Sequence, residues 1–246
     1  MGFEIVRHKS DFKRLSMLHE QALNQLLTLK RCVNIVQIGA NDGRINDPIY
    51  EFVIRNKGNT KIVLVEPQTN VVPYLRENYK KHKNATVVNC AVGPNGVLKL
   101  YRLKPQYYDV FVKRYLEDTP NYRVPTGFTS STRAHVVNGI QGNLPADISI
   151  DDAIEEIEVP CMGLKDILRS ISWEEQIDLL QIDVEGMDDQ VIYECSVSET
   201  KPLLINFEHN HLSDEKHKRL HEYLLSKGYL VFRYSSDDSM AINTHL

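Results

Sequence analysis

Residue types able to do chemistry gather at a few places along the 246-residue chain. The loop Gly39-Ala40-Asn41-Asp42-Gly43 sets an aspartate between two glycines. Glu66-Pro67 closes the apolar run KIVLVE, and Asn89-Cys90-Ala91 interrupts TVVNCAV. Asp183 and Glu185 stand in DLLQIDVEG, while Glu208, His209 and His211 share the stretch EHNH. Ser130, Ser131 and His135 share TSSTRAH. Carboxylates beside imidazoles can accept and return protons near neutral pH. Two histidines with a carboxylate can also hold a divalent ion.

The glycine loop is the most informative of these. A dinucleotide loop needs G-x-G-x-x-G, so that backbone N–H groups grip a pyrophosphate, and a Walker loop needs Gly-Lys-Ser/Thr. The letters here are G-A-N-D-G-R. Asp42 would repel phosphates, so the ligand is expected to be cationic at that point. S-adenosyl-L-methionine carries an ammonium and a sulfonium and no phosphate. Gly39 would let the backbone approach it, with Asp42 facing its positive end. Glu66, ending the next strand, is placed to accept both ribose hydroxyls. The adenine edge is expected beside Asn89, Cys90 and Ala91.

These residues need strand ends to carry them. VNIVQI, KIVLVE, TVVNCAV, DLLQIDV and LLINFEH read as short buried strands, and YLVFRYS with SMAINTHL as a closing antiparallel pair. Helices are expected over 11–30, with Leu15 on its apolar face, and over IYEFVIRNK, VVPYLRENYKKH, LKDILRSI and SDEKHKRLHEYLLSKG. Asp47-Pro48 has the form of a helix start and Gly58 of a helix stop. VLKLYRL alternates like an edge strand. Residues 104–150 show no period and read as an insertion over the sheet. Alternating strands and helices predict an α/β fold in one domain over 1–246, with a doubly wound, mostly parallel sheet. In such sheets ligands bind beyond the carboxyl ends of the strands.

The segments IGANDG, VLVEP, VVNCAVG and LLQIDVEGMDDQVI together resemble the FkbM family of S-adenosylmethionine-dependent methyltransferases, Ile182 to Gly186 being the most specific part. The resemblance covers residues 33–243, and is loosest over the insertion. It implies a class I, Rossmann-like sheet of seven strands, the C-terminal one antiparallel. It also implies O-methylation of a hydroxyl on a sugar, glycan or related small molecule, without a metal. Gln37 departs from the acid that many methyltransferases carry there, which leaves the methionine ammonium to Asp42 or Asp183.

A hydroxyl acceptor gains from a base, and Asp183, Glu185, Glu208 and His209 are the candidates, with His209 the expected proton acceptor and Asp183 and Glu185 beside it in catalysis. Ser130, Ser131, His135, Glu208 and His211 are expected on the acceptor side, with Tyr107, Tyr108, Tyr115 and Tyr122 as a wall for sugar faces. His209 and His211 with Asp183 could form a metal site, but no second acid cluster completes it, so no metal is expected. The Y-x-x-x-K at Tyr79 reads as a solvated helix end, and the acidic run Asp151 to Glu156 as surface.

Bulk properties bound the rest. Lys and Arg number 29 against 33 Asp and Glu, a net charge of −4, which disfavours a general nucleic-acid binder. An RNA methyltransferase and an NAD- or nucleoside-binding protein remain the alternatives. No apolar run reaches the roughly 20 residues of a membrane span, and the N-terminus lacks a signal-peptide core. Four cysteines without a C-x-x-C pair suit a reducing compartment, so the expected location is cytoplasmic. A homo-oligomer is possible.

Overall fold

The computed structural model describes residues 9–113 and 117–245, with side chains of the first helix from Leu18 onward. Tyr115 and the side chain of Leu15 lie outside the described residues. The chain opens with α1 (Lys9–Leu29), then β1 (Val33–Ile38), α2 (Tyr50–Arg55), β2 (Thr60–Val65) and α3 (Val72–Tyr79). There follow β3 (Ala85–Val88), β4 (Ala91–Val92) and β5 (Gly96–Leu103). Three short helices, α4 (Arg123–Gly127), α5 (Arg133–Ile140) and α6 (Ile150–Ala153), precede β6 (Ile154–Met162) and α7 (Leu164–Ser170). The chain ends through β7 (Leu179–Ile182), α8 (Asp188–Glu194), α9 (Val197–Thr200), β8 (Leu204–Glu208), α10 (Asp214–Ser226), β9 (Tyr229–Arg233) and β10 (Asp238–Asn243).

Seven strands form one sheet in the order β3-β2-β1-β7-β8-β10-β9. All neighbours are parallel except β10, which runs antiparallel to both β8 and β9. This is the seven-stranded, mostly parallel arrangement that the resemblance implies. Its central strands β1, β2, β7 and β8 are buried on both faces, which is why they are apolar almost throughout rather than alternating. Val33, Ile35, Ile62 and Leu64 pack with Leu23, Phe52, Val53 and Leu75 on one side. Val36, Ile38, Val63 and Val65 pack with Ile167, Val191, Leu220 and Leu224 on the other. The chain leaves β1 toward β2 and later returns to β1's other edge as β7, so a crevice opens at the carboxyl ends of these strands.

Three expectations change. TVVNCAV is not one strand: it breaks at Asn89, whose Nδ2 donates to the Glu66 and Pro67 carbonyls, and its tail becomes β4 of a second sheet. VLKLYRL is an edge strand, but of that second sheet, in the order β4-β6-β5. The insertion is folded around its own apolar cluster, which includes Leu103, Tyr108, Phe111, Val124, Val136 and Ile140. Its helices run four to eight residues, too short to print a 3.6-residue period.

Candidate active site

A cavity of about 370 Å³ opens at the strand ends. Its walls come from the loop after β1, the end of β2, β4, the insertion, and the turns after β7 and β8. Gly39, Ala40 and Asn41 line it, as do Glu66, Pro67, Cys90 and Ala91. Asp183, Glu185, Glu208, His211, Ser130 and Ser131 line the remainder.

One end is built around Glu66, which is 2 % exposed. Oε2 accepts from Asn41 N at 2.8 Å and Oε1 from Gln68 N at 2.8 Å. These bonds aim the carboxylate, and each oxygen keeps a further lone pair for a ligand hydroxyl. Burial raises its pKa, and a ligand donating to it would offset that cost. Gln37 also lines the cavity; its Nε2 donates to Asp47 Oδ2 at 2.6 Å, while Oε1 is buried without a partner. An unpaired buried acceptor beside a carboxylate fits an ammonium group. Asp47 was legible only as a helix start; α2 begins at Tyr50 with Ile49 at its N-cap, and Asp47 Oδ1 accepts from Ile49 N and Tyr50 N just ahead of it.

Asp42 does not face this cavity. It is 1 % exposed, its Oδ1 accepts from Arg44 N and Ile45 N at 3.0 Å, and its Oδ2 accepts from the Tyr122 hydroxyl at 3.2 Å. Arg123 Nε stands 3.6 Å from Oδ1. Asp42 therefore ties the first loop to the insertion. The glycines are explained by packing as well. A Cβ on Gly39 would lie 1.8 Å from the Asp183 carbonyl oxygen, and one on Gly43 would lie 2.5 Å from Leu75 Cδ1. Asn89 is likewise spent on the Glu66–Pro67 turn and does not line the cavity.

The other end collects carboxylates and imidazoles. Asp183 is open to the cavity yet surrounded by protein; burial and then its neighbours Glu185 and Asp188 hold its pKa well above the usual range. Burial, then Asp183 and Glu185, push Glu208 up to about 9, and burial pushes Asp188 up to about 7. His135 Nε2 lies 3.2 Å from Glu185 Oε2. His211 Nε2 lies 3.6 Å from both Glu185 Oε2 and Glu208 Oε2. Glu185 occupies the left-handed region at φ 52°, which costs a non-glycine residue about 1–2 kcal/mol and is often kept at functional turns. Ser130 Oγ donates to the Glu185 carbonyl at 3.3 Å, and Ser131 Oγ contacts Met187 Sδ, so the serine pair fastens the insertion to this turn.

His209 is the main correction. Glu208 lines the cavity, and side chains alternate along a strand, so the next residue takes the opposite face. There His209 Nδ1 meets the Ser239 hydroxyl at 3.1 Å and its ring abuts His217. Burial, then Arg233, lowers its pKa to about 4. The strand stops at Glu208, and a turn closed by Leu212 N to His209 O at 3.0 Å returns His211 to the cavity. The tyrosine wall also dissolves. Tyr107 and Tyr108 pack in the insertion core, Tyr122 stacks on Tyr74 with centroids 4.0 Å apart, and none lines the cavity. Gln68, Thr126 and Thr129 do line it, linked through Gln68 Nε2 to Thr126 O at 3.1 Å and Thr129 Oγ1 to Gln68 Oε1 at 2.7 Å. No periodicity or motif marked them.

Residues 37–231 match the family described as methyltransferase FkbM domain. The chain belongs to the FkbM methyltransferase family. Its cofactor is S-adenosyl-L-methionine, and the Glu66 and Gln37 end of the cavity has groups suited to that molecule's ribose and ammonium. The methyltransferase has no match among curated proteins. It is similar to solved structures at low identity. A putative O-methyltransferase from Klebsiella pneumoniae is 10% identical, with 98% of this chain and 93% of that one covered and a TM-score of 0.45. Fibrillarin from Aeropyrum pernix, with natively bound S-adenosyl-L-methionine, is 11% identical over 90% and 73%, TM-score 0.44. Precorrin-6y C5,15-methyltransferase from Geobacter metallireducens GS-15 is 12% identical over 99% and 93%, TM-score 0.43. No described helix of the methyltransferase is long and apolar enough to cross a membrane.

Proposed function

We propose that this methyltransferase transfers the methyl group to a hydroxyl oxygen of a sugar, glycan or related polyhydroxylated small molecule. The observation that carries the reading is the open carboxylate of Asp183 beside Glu185, Glu208, His135 and His211. A hydroxyl is a weak nucleophile and needs its proton taken as the new bond forms. S-adenosylmethionine, when bound, supplies a methyl group on a sulfonium that already leaves readily. The protein's own work is therefore to orient and to remove one proton. Glu66 holds the ribose hydroxyls, and Gln37 Oε1 with Asp47 holds the ammonium, which leaves Asp183 free to accept the proton. Glu208, His211 and Ser131 line the acceptor end, and the insertion covers it against water. The reading places the work in a reducing, cytoplasmic setting, which suits four free cysteines.

An RNA acceptor fits less well. Among the described residues that line the cavity, the lysines and arginines are Lys113 and Arg123, and Arg123 faces Asp42. Phosphate tracking calls for a broader basic surface. Incubating the protein with methyl-labelled S-adenosylmethionine, polyhydroxylated small molecules and total RNA tests the choice. Label recovered as a stable ether in the small-molecule fraction supports the reading. Label recovered only in RNA would overturn it.

A further inference from the structure

Three side chains from distant segments aim donor atoms at one point beside the cavity. His135 comes from the first turn of α5, Glu185 from the turn after β7, and His211 from the turn after β8. Both Nε2 atoms approach the same carboxylate oxygen, at 3.2 Å and 3.6 Å. All three candidate ligand atoms lie within 4.8 Å of one another. Donors around an ion bound at about 2.0–2.1 Å stand roughly 3.0–3.4 Å apart, so the two imidazole–carboxylate spacings need little closing, and the imidazoles would draw in toward the ion. The imidazole rings meet edge to face, 84° apart with centroids at 4.9 Å, so they do not stack flat on each other.

The surroundings favour a cation. Among the described residues no lysine or arginine pairs with Glu185 or Glu208, whose ion-pair partners are the two histidines. Glu208 Oε2, 3.6 Å from His211 Nε2, is within reach as a further ligand. The backbone is shaped to hold the cluster. Glu185 and Gly186 both take positive φ, and a Cβ on Gly186 would come within 3.4 Å of His211 Cβ, so this turn seats His211 closely.

We propose that His135, Glu185 and His211 bind one divalent first-row transition ion. Two imidazoles and a carboxylate suit manganese, iron, cobalt or zinc better than magnesium or calcium, which prefer all-oxygen shells. Three protein ligands leave positions open, and Glu185 and His211 border the cavity. An acceptor oxygen can occupy one of those positions. The ion's part in catalysis rests on the acceptor reading above, whereas its binding does not. Asp183 lies outside the three ligands and keeps its role as proton acceptor.

Titrating the whole chain with Co²⁺ and recording visible absorbance tests this directly. The expected result is one-to-one saturation with new bands that excess Mg²⁺ does not remove. His135→Ala and His211→Ala should each weaken Co²⁺ binding at least about 100-fold, more than the usual loss from a group that only supports a ligand. Their affinity for S-adenosylhomocysteine, measured by calorimetry, should stay unchanged and so report an intact fold. A wild-type protein that binds S-adenosylhomocysteine but gives no Co²⁺ bands overturns the ion and leaves the methyltransferase reading standing. Co²⁺ affinity as tight as wild type in both variants would also overturn it. Loss of S-adenosylhomocysteine binding in the wild type would instead count against the methyltransferase reading, whatever the Co²⁺ result.

Discussion

Arg123 Nε stands 3.6 Å from Asp42 Oδ1, and the side chains are 9% and 1% exposed. The pair links the first sheet loop to the insertion, two parts of the chain that share no strand. Tyr122 and the Ile45 carbonyl, which accepts from Arg123 Nε at 3.0 Å, extend the link. The cavity roof is thus fixed to its floor by charge and hydrogen bonds rather than by apolar packing alone.

Removing Asp42 takes the carboxylate away from a buried guanidinium and from the Tyr122 hydroxyl, and frees the Arg44 and Ile45 N–H groups. Asp42→Ala should lower stability by about 3–5 kcal/mol, the usual cost of breaking a buried ion pair from one side. Urea denaturation reads this, and a loss below roughly 1 kcal/mol would show that Asp42 is dispensable to the fold. Replacing both residues should recover part of the loss.

His209 and Asp183 separate cleanly as candidate bases. His209→Ala removes a ring that faces Ser239 and His217, so turnover should stay within a few-fold of wild type. Asp183→Asn keeps the shape and removes the base, so turnover should fall about 10²–10⁴-fold. Steady-state rates with a common acceptor decide it. A collapse of activity in His209→Ala with Asp183→Asn unaffected would return the role to His209.

His19 supplies a pH signature far from the chemistry. It is buried, stacks on Tyr234 with centroids 5.5 Å apart, and has an Nε2 without a partner. Burial lowers its pKa from 6.5 to about 4. The neutral form is therefore the folded one, and its stability is complete above about pH 6.5. As pH falls from there toward 4, the unfolded chain takes a proton that the folded chain refuses. The loss reaches at most about 3 kcal/mol. His19→Phe keeps the stack and should flatten stability over that window. Identical pH profiles for the two proteins would refute the assignment.

The fold was legible because β-branched runs such as VNIVQI and KIVLVE can hardly be anything but buried strands, and their order follows from alternation with helices. Glu66 and Asp183 were legible for the same reason: each sits at or just past the end of such a run. What escaped depended on contacts between distant segments. Gly39 lacks a side chain because the Asp183 carbonyl is in the way, which no local pattern records. His209 and His211 were read as one group because the strand was carried past Glu208; the turn there sends them apart. The insertion tyrosines suggested sugar stacking, yet Tyr108 and Tyr122 are used to pack the insertion and brace Asp42.

The position of the cofactor's ribose fixes the layout of the whole cavity. Calorimetry of S-adenosylhomocysteine against wild type and Glu66→Ala tests that placement most directly. The wild type should bind one equivalent, and the variant should lose about 1.5–3 kcal/mol, the range for hydrogen bonds to a charged group. Affinity unchanged in Glu66→Ala would contradict the placement of the cofactor at the end of β2.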